Sequence, residues 1–317
     1  MERELDFEKP IAEMEKAVEK LKNISTENKG DFSAQLLELE KKLIEQKKEI
    51  YENLTPWQTV QVARHPKRPV IWDYINNIFT NFVQLHGDRC YGDDHALIGG
   101  FALLGQQKVM LIGQNKGKNV EENIDRNFGM AKPEGYRKAL RLMRLAETFN
   151  VPIVTLVDTA GAYPGLDAEE RGQAEAIARN LTEMAKIQVP IISVITGEGG
   201  SGGALGIGVG DVVMMLSHSV YSVISPEGCA SILWRDASFS SRAAEALKIT
   251  AKSLLEFGII DEIIPEPPGG AHTDPLKTSI EVKDAILRQI KKLTSLSTSK
   301  LLSKRFEKYS AMGKFNK

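Results

Sequence analysis

The 317-residue sequence contains little cysteine and no long hydrophobic run. Its two cysteines, Cys90 and Cys229, lie far apart and form no CxxC motif, which excludes a disulfide scaffold and a cysteine-based zinc site in this chain. No segment approaches the roughly 18 consecutive apolar residues that a membrane-spanning helix needs. The first ten residues contain no apolar stretch of the kind found in a secretory signal. We therefore expect a cytoplasmic protein that does not enter a membrane.

An excess of charge of one sign is also missing. The chain has 41 lysine and arginine residues against 42 aspartate and glutamate residues, which gives a formal net charge of -1. Nucleic-acid-binding proteins normally carry a clear basic excess, so we expect no nucleic-acid partner.

Several ligand-binding motifs are absent as well. No G-x-G-x-x-G is followed by an acidic residue at the spacing of a dinucleotide site, and no G-K-[ST] phosphate loop occurs. The five histidines are scattered along the chain. The group Asp93-Asp94-His95 lacks a second set of spaced ligands, so we interpret it as a solvated loop and expect no metal site in this chain.

The residue pattern divides the chain into three regions. Residues 1–55 are rich in Glu and Lys and carry apolar residues three and four apart, which predicts an N-terminal arm of two helices folded into a hairpin. Residues 56–270 alternate short Val- and Ile-rich runs with helical stretches, which predicts an α/β domain with crossover connections. Residues 271–317 have the spacing of an amphipathic helical tail. The expected strands are 109–113, 152–158, 190–196, 212–216 and 221–225, and the expected helices between them are 133–149 and 166–188.

Two glycine-rich loops each follow an expected strand. The first is Asp158-Thr-Ala-Gly-Ala-Tyr-Pro-Gly165, and the second runs over residues 196–208. Dense glycine lets backbone amides approach a ligand, and amides at the start of a helix favour an anion or a developing oxyanion. Gly202 and Gly203, at the start of an expected helix over 204–210, are the best candidates for that role. The alternative is that the glycines only permit tight turns and close packing.

Other interpretations of nearby residues stay open at this point. Gly199-Gly-Ser-Gly-Gly203 matches the G-x-S-x-G motif of a serine hydrolase, with Ser201 as nucleophile and Asp261 and His272 in the required order. A second set is basic and lies on the expected helix 133–149: Arg137, Lys138, Arg141 and Arg144. We expect these side chains to form a solvated face, with attraction of an acidic partner or of coenzyme phosphates as the alternative.

Taken together, the motifs resemble the carboxyltransferase alpha-subunit family of multi-subunit acetyl-CoA carboxylase. The resemblance rests on five segments in particular: Asn127-Phe-Gly-Met130, residues 133–143, Gly161-Ala-Tyr-Pro-Gly165, residues 197–205 and residues 221–228. It extends over nearly the whole chain.

This resemblance implies a crotonase-like fold, a spiral of ββα units. It implies transfer of the carboxyl group from carboxybiotin on a carrier protein to acetyl-CoA, giving malonyl-CoA for fatty acid synthesis. The expected partners are a zinc-containing beta subunit, the biotin carboxyl carrier protein and biotin carboxylase, with the carboxyltransferase assembled as an alpha2beta2 hetero-tetramer. The resemblance further implies a shared active site, with carboxybiotin bound by this chain and acetyl-CoA by the beta subunit.

The resemblance also implies residue roles. The amides of Gly202 and Gly203 serve the biotin oxygen, and Ser201 supports the turn without acting as a nucleophile. The carboxybiotin pocket is formed by seven residues: Gly161, Ala162, Tyr163, Pro164, Gly165, Gly200 and Ser201. A self-sufficient hydratase or isomerase of the crotonase type is the alternative, and it needs a carboxylate in the pocket, for which Glu198 and Glu227 are the candidates.

Overall fold

The computed structural model describes residues 5–27 and 32–313. Residues 1–4 and 28–31 of the predicted arm, and 314–317 of the predicted tail, lie outside the described residues. The arm consists of α1 (Lys9–Glu27) and α2 (Ser33–Glu52), which are joined by the Lys47–Glu15 and Lys22–Glu40 ion pairs. Its apolar stripe faces inward: Ile11 and Tyr51 are buried in a cluster with Val62 of the next helix. The predicted helical hairpin is therefore present and packs on the rest of the chain.

Helices and strands alternate through the remainder of the described chain. The helices, in order, are α3 (Pro56–Ala63), α4 (Ile71–Ile78), α5 (Val120–Asp125), α6 (Pro133–Thr148), α7 (Leu166–Glu170), α8 (Gln173–Met184), α9 (Ser201–Gly208), α10 (Pro226–Trp234), α11 (Ser240–Leu247), α12 (Ala251–Glu256), α13 (Pro275–Leu293) and α14 (Thr298–Ser310). The strands are β1 (Phe79–Gln84), β2 (Leu97–Leu104), β3 (Gln107–Gln114), β4 (Ile153–Thr159), β5 (Ile191–Gly200), β6 (Val212–Leu216), β7 (Val220–Ser222) and β8 (Glu262–Ile264).

Within the described residues the strands form one eight-stranded sheet in the order β1-β2-β3-β4-β5-β6-β8, with β7 paired beside β5. The pairs β1–β2 and β2–β3 are antiparallel, and the pairs from β3 onward are parallel. Helices α6, α8 and α9 cover one face of the sheet and α4 and α13 the other. Because both faces are covered, β4 is buried at every position. The predicted α/β class is confirmed.

The boundaries of several predicted elements differ from the structure. The expected helix 166–188 is interrupted at Gly172, whose φ of 81° breaks it into α7 and α8. The helix expected over 204–210 begins three residues earlier, at Ser201. The tail contains two helices, because Ser297 accepts a hydrogen bond from the Lys300 amide and starts α14.

Two predicted solvated features are only partly correct. In the Asp93-Asp94-His95 loop, Asp93 and His95 are exposed as predicted, but Asp94 is buried and accepts hydrogen bonds from the Ala96 and Lys132 amides. Lys138 is also buried, donating to the Asp94 carbonyl at 2.8 Å and pairing with Asp93. Arg137 binds Asp88, 49 residues away in sequence. Arg137 and Lys138 of α6 therefore anchor the loop before β2, because a buried cation needs a paired acceptor. Arg144 is exposed, as predicted, and pairs with Glu183 of α8. No helix among the described residues is both long and apolar enough to cross a bilayer.

Candidate active site

Three adjacent parallel strands end at the same edge of the sheet. Strands β3, β4 and β5 end at Gln114, Thr159 and Gly200, and Thr159 lies opposite Gly199 in the β4–β5 register. The first predicted glycine loop follows β4, but residues 196–200 of the second continue β5 and residues 201–208 form α9, so the second is a direct strand-to-helix turn. We keep the name glycine loops for both segments, which the parallel pairing of β4 with β5 brings together. Ligand sites of open α/β sheets gather at this edge.

The two loops are in direct backbone contact. A Cβ on Gly200 would lie 2.1 Å from the Ala160 carbonyl oxygen, and one on Gly203 would lie 2.3 Å from the Gly161 carbonyl carbon. Distances this short exclude any side chain at Gly200 or Gly203 without a backbone shift. These glycines therefore permit the close approach of the loops, and a substituent at Gly203 would meet the first loop before it met a ligand.

The start of α9 presents backbone amides without helical acceptors. Gly202 and Gly203 are the second and third residues of α9, and the first four amides of a helix have no intrahelical partner. Among the described residues, neither amide donates to a side chain or to backbone outside the helix. The Gly203 carbonyl is held by Gln114 Nε2 at 3.1 Å and by the Tyr136 hydroxyl at 3.3 Å. These contacts hold the first turn of α9 in place, and unpaired amides at a helix start are groups that favour an anion.

Ser201 opens α9 with a φ of 50°, in the left-handed region. A non-glycine residue there is uncommon, and such strain collects at functional sites. The sharp strand-to-helix turn that the G-x-S-x-G motif suggested is therefore real. Its predicted hydrolase partners are elsewhere, however: His272 stacks on His65 with ring centres 3.8 Å apart, and Asp261 accepts from the Val213 amide and pairs with Lys308. The hydrolase triad is not assembled.

The first loop is held by its own hydrogen bonds. The Thr159 hydroxyl donates to the Gly161 carbonyl at 2.7 Å and accepts from the Gly161 amide. The Tyr163 amide donates to the Ala131 carbonyl at 3.0 Å, and Gln173 Nε2 donates to the Tyr163 carbonyl at 2.9 Å. Gly165 is the N-cap residue of α7. Gly161 and Ala162 consequently lie against α9, while Tyr163, Pro164 and Gly165 lead the chain toward α7.

A group of charged side chains behind the loops was not predicted. Lys116 Nζ donates to Asp158 Oδ1 at 2.7 Å and to Glu198 Oε2 at 3.3 Å. Arg64 Nε donates to Glu198 Oε1 at 2.7 Å, and the same guanidinium pairs with Glu227 of α10. A signal for Lys116 exists in the sequence, because Asn115-Lys-Gly117 follows β3 as the glycine loops follow β4 and β5.

These contacts determine the ionisation of Glu198, one of the two carboxylates considered for a hydratase. Burial raises the pKa of Glu198, but Coulombic attraction and hydrogen bonds from Lys116 and Arg64 outweigh burial and hold it below its usual value. Burial lowers the pKa of Lys116, and Asp158 and Glu198 more than reverse that effect. A carboxylate with a lowered pKa is a weak base, so Glu198 is suited to ionic contacts and poorly suited to proton abstraction.

A cleft of about 440 Å³ adjoins the loops. It shares Ala160 and Glu198 with them, and its lining includes the cations Arg64, Lys116 and Lys118 and the half-exposed ring of Phe128. Gly202 and Gly203 lie outside this cleft. The site thus combines the start of α9 with a neighbouring cleft in which the cations Arg64, Lys116 and Lys118 are paired with carboxylates.

The fold and this edge of the sheet define a class of protein, the crotonase-like α/β folds. Solved structures with the same fold include transcarboxylase 12S (TM-score 0.52, 20% identity, 67% of this chain and 41% of that one). Another is the geranyl-CoA carboxylase beta subunit of P. aeruginosa (TM-score 0.52, 16% identity, 72% of this chain and 45% of that one). At these sequence identities, the two similarities show a shared fold only.

Sequence similarity is far closer within one family. The family described as "Acetyl co-enzyme A carboxylase carboxyltransferase-like" matches residues 4–313. The acetyl-coenzyme A carboxylase carboxyl transferase subunit alpha of Geobacter metallireducens is 55% identical over 312 residues, 98% of each chain. This chain belongs to the acetyl-CoA carboxylase carboxyltransferase family. The predicted family, crotonase-like fold and carboxyltransferase activity are confirmed, and the hydrolase and hydratase alternatives are not supported.

Proposed function

We propose that this chain forms the carboxybiotin half of an active site that a beta subunit completes with the acetyl-CoA half. The observation that carries the proposal is the pair of glycine loops in backbone contact, with the Gly202 and Gly203 amides at the start of α9 left without acceptors. A site made only of amides suits a reaction that needs stabilised negative charge more than a protein base.

Carboxybiotin, when bound, supplies an activated carboxyl group whose departure leaves negative charge on the ureido oxygen. The amides of Gly202 and Gly203 donate hydrogen bonds to that oxygen, and each such donor is worth about 3–4 kcal/mol in related oxyanion holes. Gly161, Ala162, Tyr163, Pro164 and Gly165 shape the adjoining wall. Gly200 and Ser201 hold the turn that aims the amides.

The wider assembly follows from the same proposal. The carboxyl group comes from biotin on the biotin carboxyl carrier protein, which biotin carboxylase loads, and acetyl-CoA is bound by a zinc-containing beta subunit. The product is malonyl-CoA for fatty acid synthesis. We propose an alpha2beta2 hetero-tetramer that works in the cytoplasm.

The test is to measure malonyl-CoA formation from acetyl-CoA and carboxylated carrier protein, with this chain alone and then with its cognate beta subunit. We expect no turnover by either chain alone and turnover by the mixture, because each chain holds half of the site. Substantial transfer by this chain alone would contradict the shared site. An assembled mixture that transfers no carboxyl group would contradict the proposed reaction.

A further inference from the structure

Three charged residues mark the carboxyl ends of three neighbouring strands. Lys116 comes two residues after β3, Asp158 is the penultimate residue of β4, and Glu198 lies near the end of β5. The strands pair side by side in the order β3-β4-β5, so their ends bring one cation between two carboxylates. Both carboxylates belong to the segments that lead into the glycine loops.

The turn Asn127–Gly129 packs against the Lys116 side chain. The turn Asn127–Gly129 has positive φ at all three residues, and Gly129, at 75°, lies against the Lys116 stem. A Cβ on Gly129 would lie 2.9 Å from Lys116 Cγ. Arg126 Nη1 also donates to the Lys116 carbonyl at 3.2 Å. With 19% of its side chain exposed, Lys116 is confined to one orientation, toward the carboxylates.

The two carboxylates that Lys116 contacts are themselves in contact with the second glycine loop. Asp158 Oδ1 accepts from Lys116 and from the Glu198 amide, the latter at 3.0 Å. A Cβ on Gly197 would lie 2.4 Å from Asp158 Oδ1, so the second loop is packed directly on that carboxylate. The backbone pairing of Thr159 with Gly199 brings the two loop entrances together, and the contacts among Asp158, Glu198 and the Lys116 ammonium connect them further.

We propose that Lys116 is a positioning residue for carboxyl transfer, which sets the first glycine loop against the second and thereby aims the Gly202 and Gly203 amides. The inference rests on the proposed role of those amides. Lys116 touches no reacting atom in this role. Without the lysine charge, Arg64 on Glu198 is the cation that stays in direct contact with these two buried carboxylates, and the repulsion between Asp158 and Glu198 pushes the loop entrances apart.

The experiment uses the assembled alpha–beta enzyme with Lys116→Met. We expect kcat to fall about tenfold to a hundredfold, as small displacements of catalytic groups do, while KM for acetyl-CoA stays near the wild-type value. We expect this KM to stay unchanged because the beta subunit is proposed to bind acetyl-CoA. Lys116→Arg should recover part of kcat, since it restores a cation between the carboxylates.

The matched control is Lys308→Met. Lys308 is similarly buried, with 14% of its side chain exposed, and pairs with Asp261, but it lies on α14 near Asp211, before β6. It should lose comparable stability with kcat unchanged. Tm and alpha–beta assembly are measured on every variant. If Lys116→Met does not assemble, Lys116→Gln, which keeps a hydrogen-bond donor, takes its place.

Among variants that assemble, either of two results would overturn the inference: kcat within twofold of wild type for Lys116→Met, or an equal loss of kcat in Lys308→Met. Failure of both Lys116→Met and Lys116→Gln to assemble would also overturn it, because Lys116 would then be needed for folding alone. Gly203→Ala separates this inference from the proposed function. Normal turnover of Gly203→Ala would contradict the proposed role of the glycine amides. An inactive Gly203→Ala together with a normal Lys116→Met would contradict only the role of Lys116.

Discussion

The surroundings of the two ends of strand β5 differ in whether their polar groups have hydrogen-bond partners. At the amino end, Arg305 of α14 is 1% exposed and binds both oxygens of Asp211 and the carbonyls of Met184, Ile187 and Val189. At the carboxyl end, the strand leads into α9, whose first amides have no acceptors outside the helix among the described residues. The charged groups there, Lys116 and Glu198, bind each other and make no hydrogen bond to those amides.

This difference indicates that the amino end of β5 contributes to the stability of the fold and the carboxyl end to ligand binding. Buried polar groups stabilise a fold when every donor has an acceptor, and Arg305 meets that condition. Amides without acceptors contribute nothing comparable to the free enzyme, but they bind an anion without first breaking a hydrogen bond. The amino end of β5 should therefore respond to mutation through stability, and the carboxyl end through turnover.

The largest expected effect is on stability at the amino end. Arg305→Ala leaves the Asp211 carboxylate buried without its cation, and breaking such a pair costs about 3–5 kcal/mol. Urea unfolding should show that loss, with kcat unchanged at a temperature where the variant is folded. Arg288→Ala is the control, since Arg288 is 49% exposed and its pair with Glu262 is worth less than about 1 kcal/mol. Equal losses in both variants would contradict the role assigned to burial.

The next effect is on turnover at the carboxyl end. In Gly203→Ala the new Cβ would lie 2.3 Å from the Gly161 carbonyl carbon, so the loops must separate and the amide must move. We expect malonyl-CoA formation to fall about a hundredfold or more. Gly208→Ala is the control in the same helix, because its Cβ would meet only the Tyr221 hydroxyl, at 3.8 Å.

Stability and turnover must be measured on the same Gly203→Ala preparation, together with assembly with the beta subunit. A loss of turnover in a variant of normal Tm supports the amide role. If Tm and turnover fall together, Gly203 serves close packing only, and the contrast between the two ends of β5 is lost.

The third prediction concerns the part of the carboxyl edge that the arm covers. Burial, with the nearby charges of His65 and Arg68, lowers the pKa of His272 to about 3 from its usual 6.5. The unfolded chain therefore takes up this proton as the pH falls below about 6.5 and the folded chain does not, so stability is lost on acidification. Between pH 7.5 and 5.5 this amounts to about 1.4 kcal/mol.

His272→Phe removes the titrating group and keeps a ring that can stack on His65. Its unfolding free energy, measured in urea at the two pH values, should change by about 1.4 kcal/mol less than that of the wild type. An identical pH dependence of the two proteins would show that His272 does not exclude the proton in the folded state.

The smallest effect is expected for Ser201→Ala. The hydroxyl attacks nothing in the proposed reaction, and alanine at a φ of 50° is no more strained than serine, so a large share of the activity should remain. A serine nucleophile would instead lose about six orders of magnitude. Labelling of Ser201 by a fluorophosphonate would favour the hydrolase interpretation.

Much of the site's framework could be predicted, because its signals are local. Apolar runs before Asp158 and Gly197 indicated β4 and β5, and glycine after each run indicated the loops. Strands β1, β2 and β8 were not predicted. Three of the six residues of β1 are polar, β2 contains Gly99 and Gly100, and β8 has only three residues. Lys138 of α6 was misinterpreted because its partner Asp93 lies 45 residues earlier in the sequence.

The sequence by itself determined the family, the α/β class and the place of the two glycine loops after buried strands, since these depend on residue types in short segments. Only the tertiary structure decided that Gly203 packs on Gly161, that Lys116 joins Asp158 to Glu198, and that Arg305 closes the opposite edge. Each of these contacts links residues at least 40 positions apart. Their geometry depends on strand order and register, which no local pattern specifies.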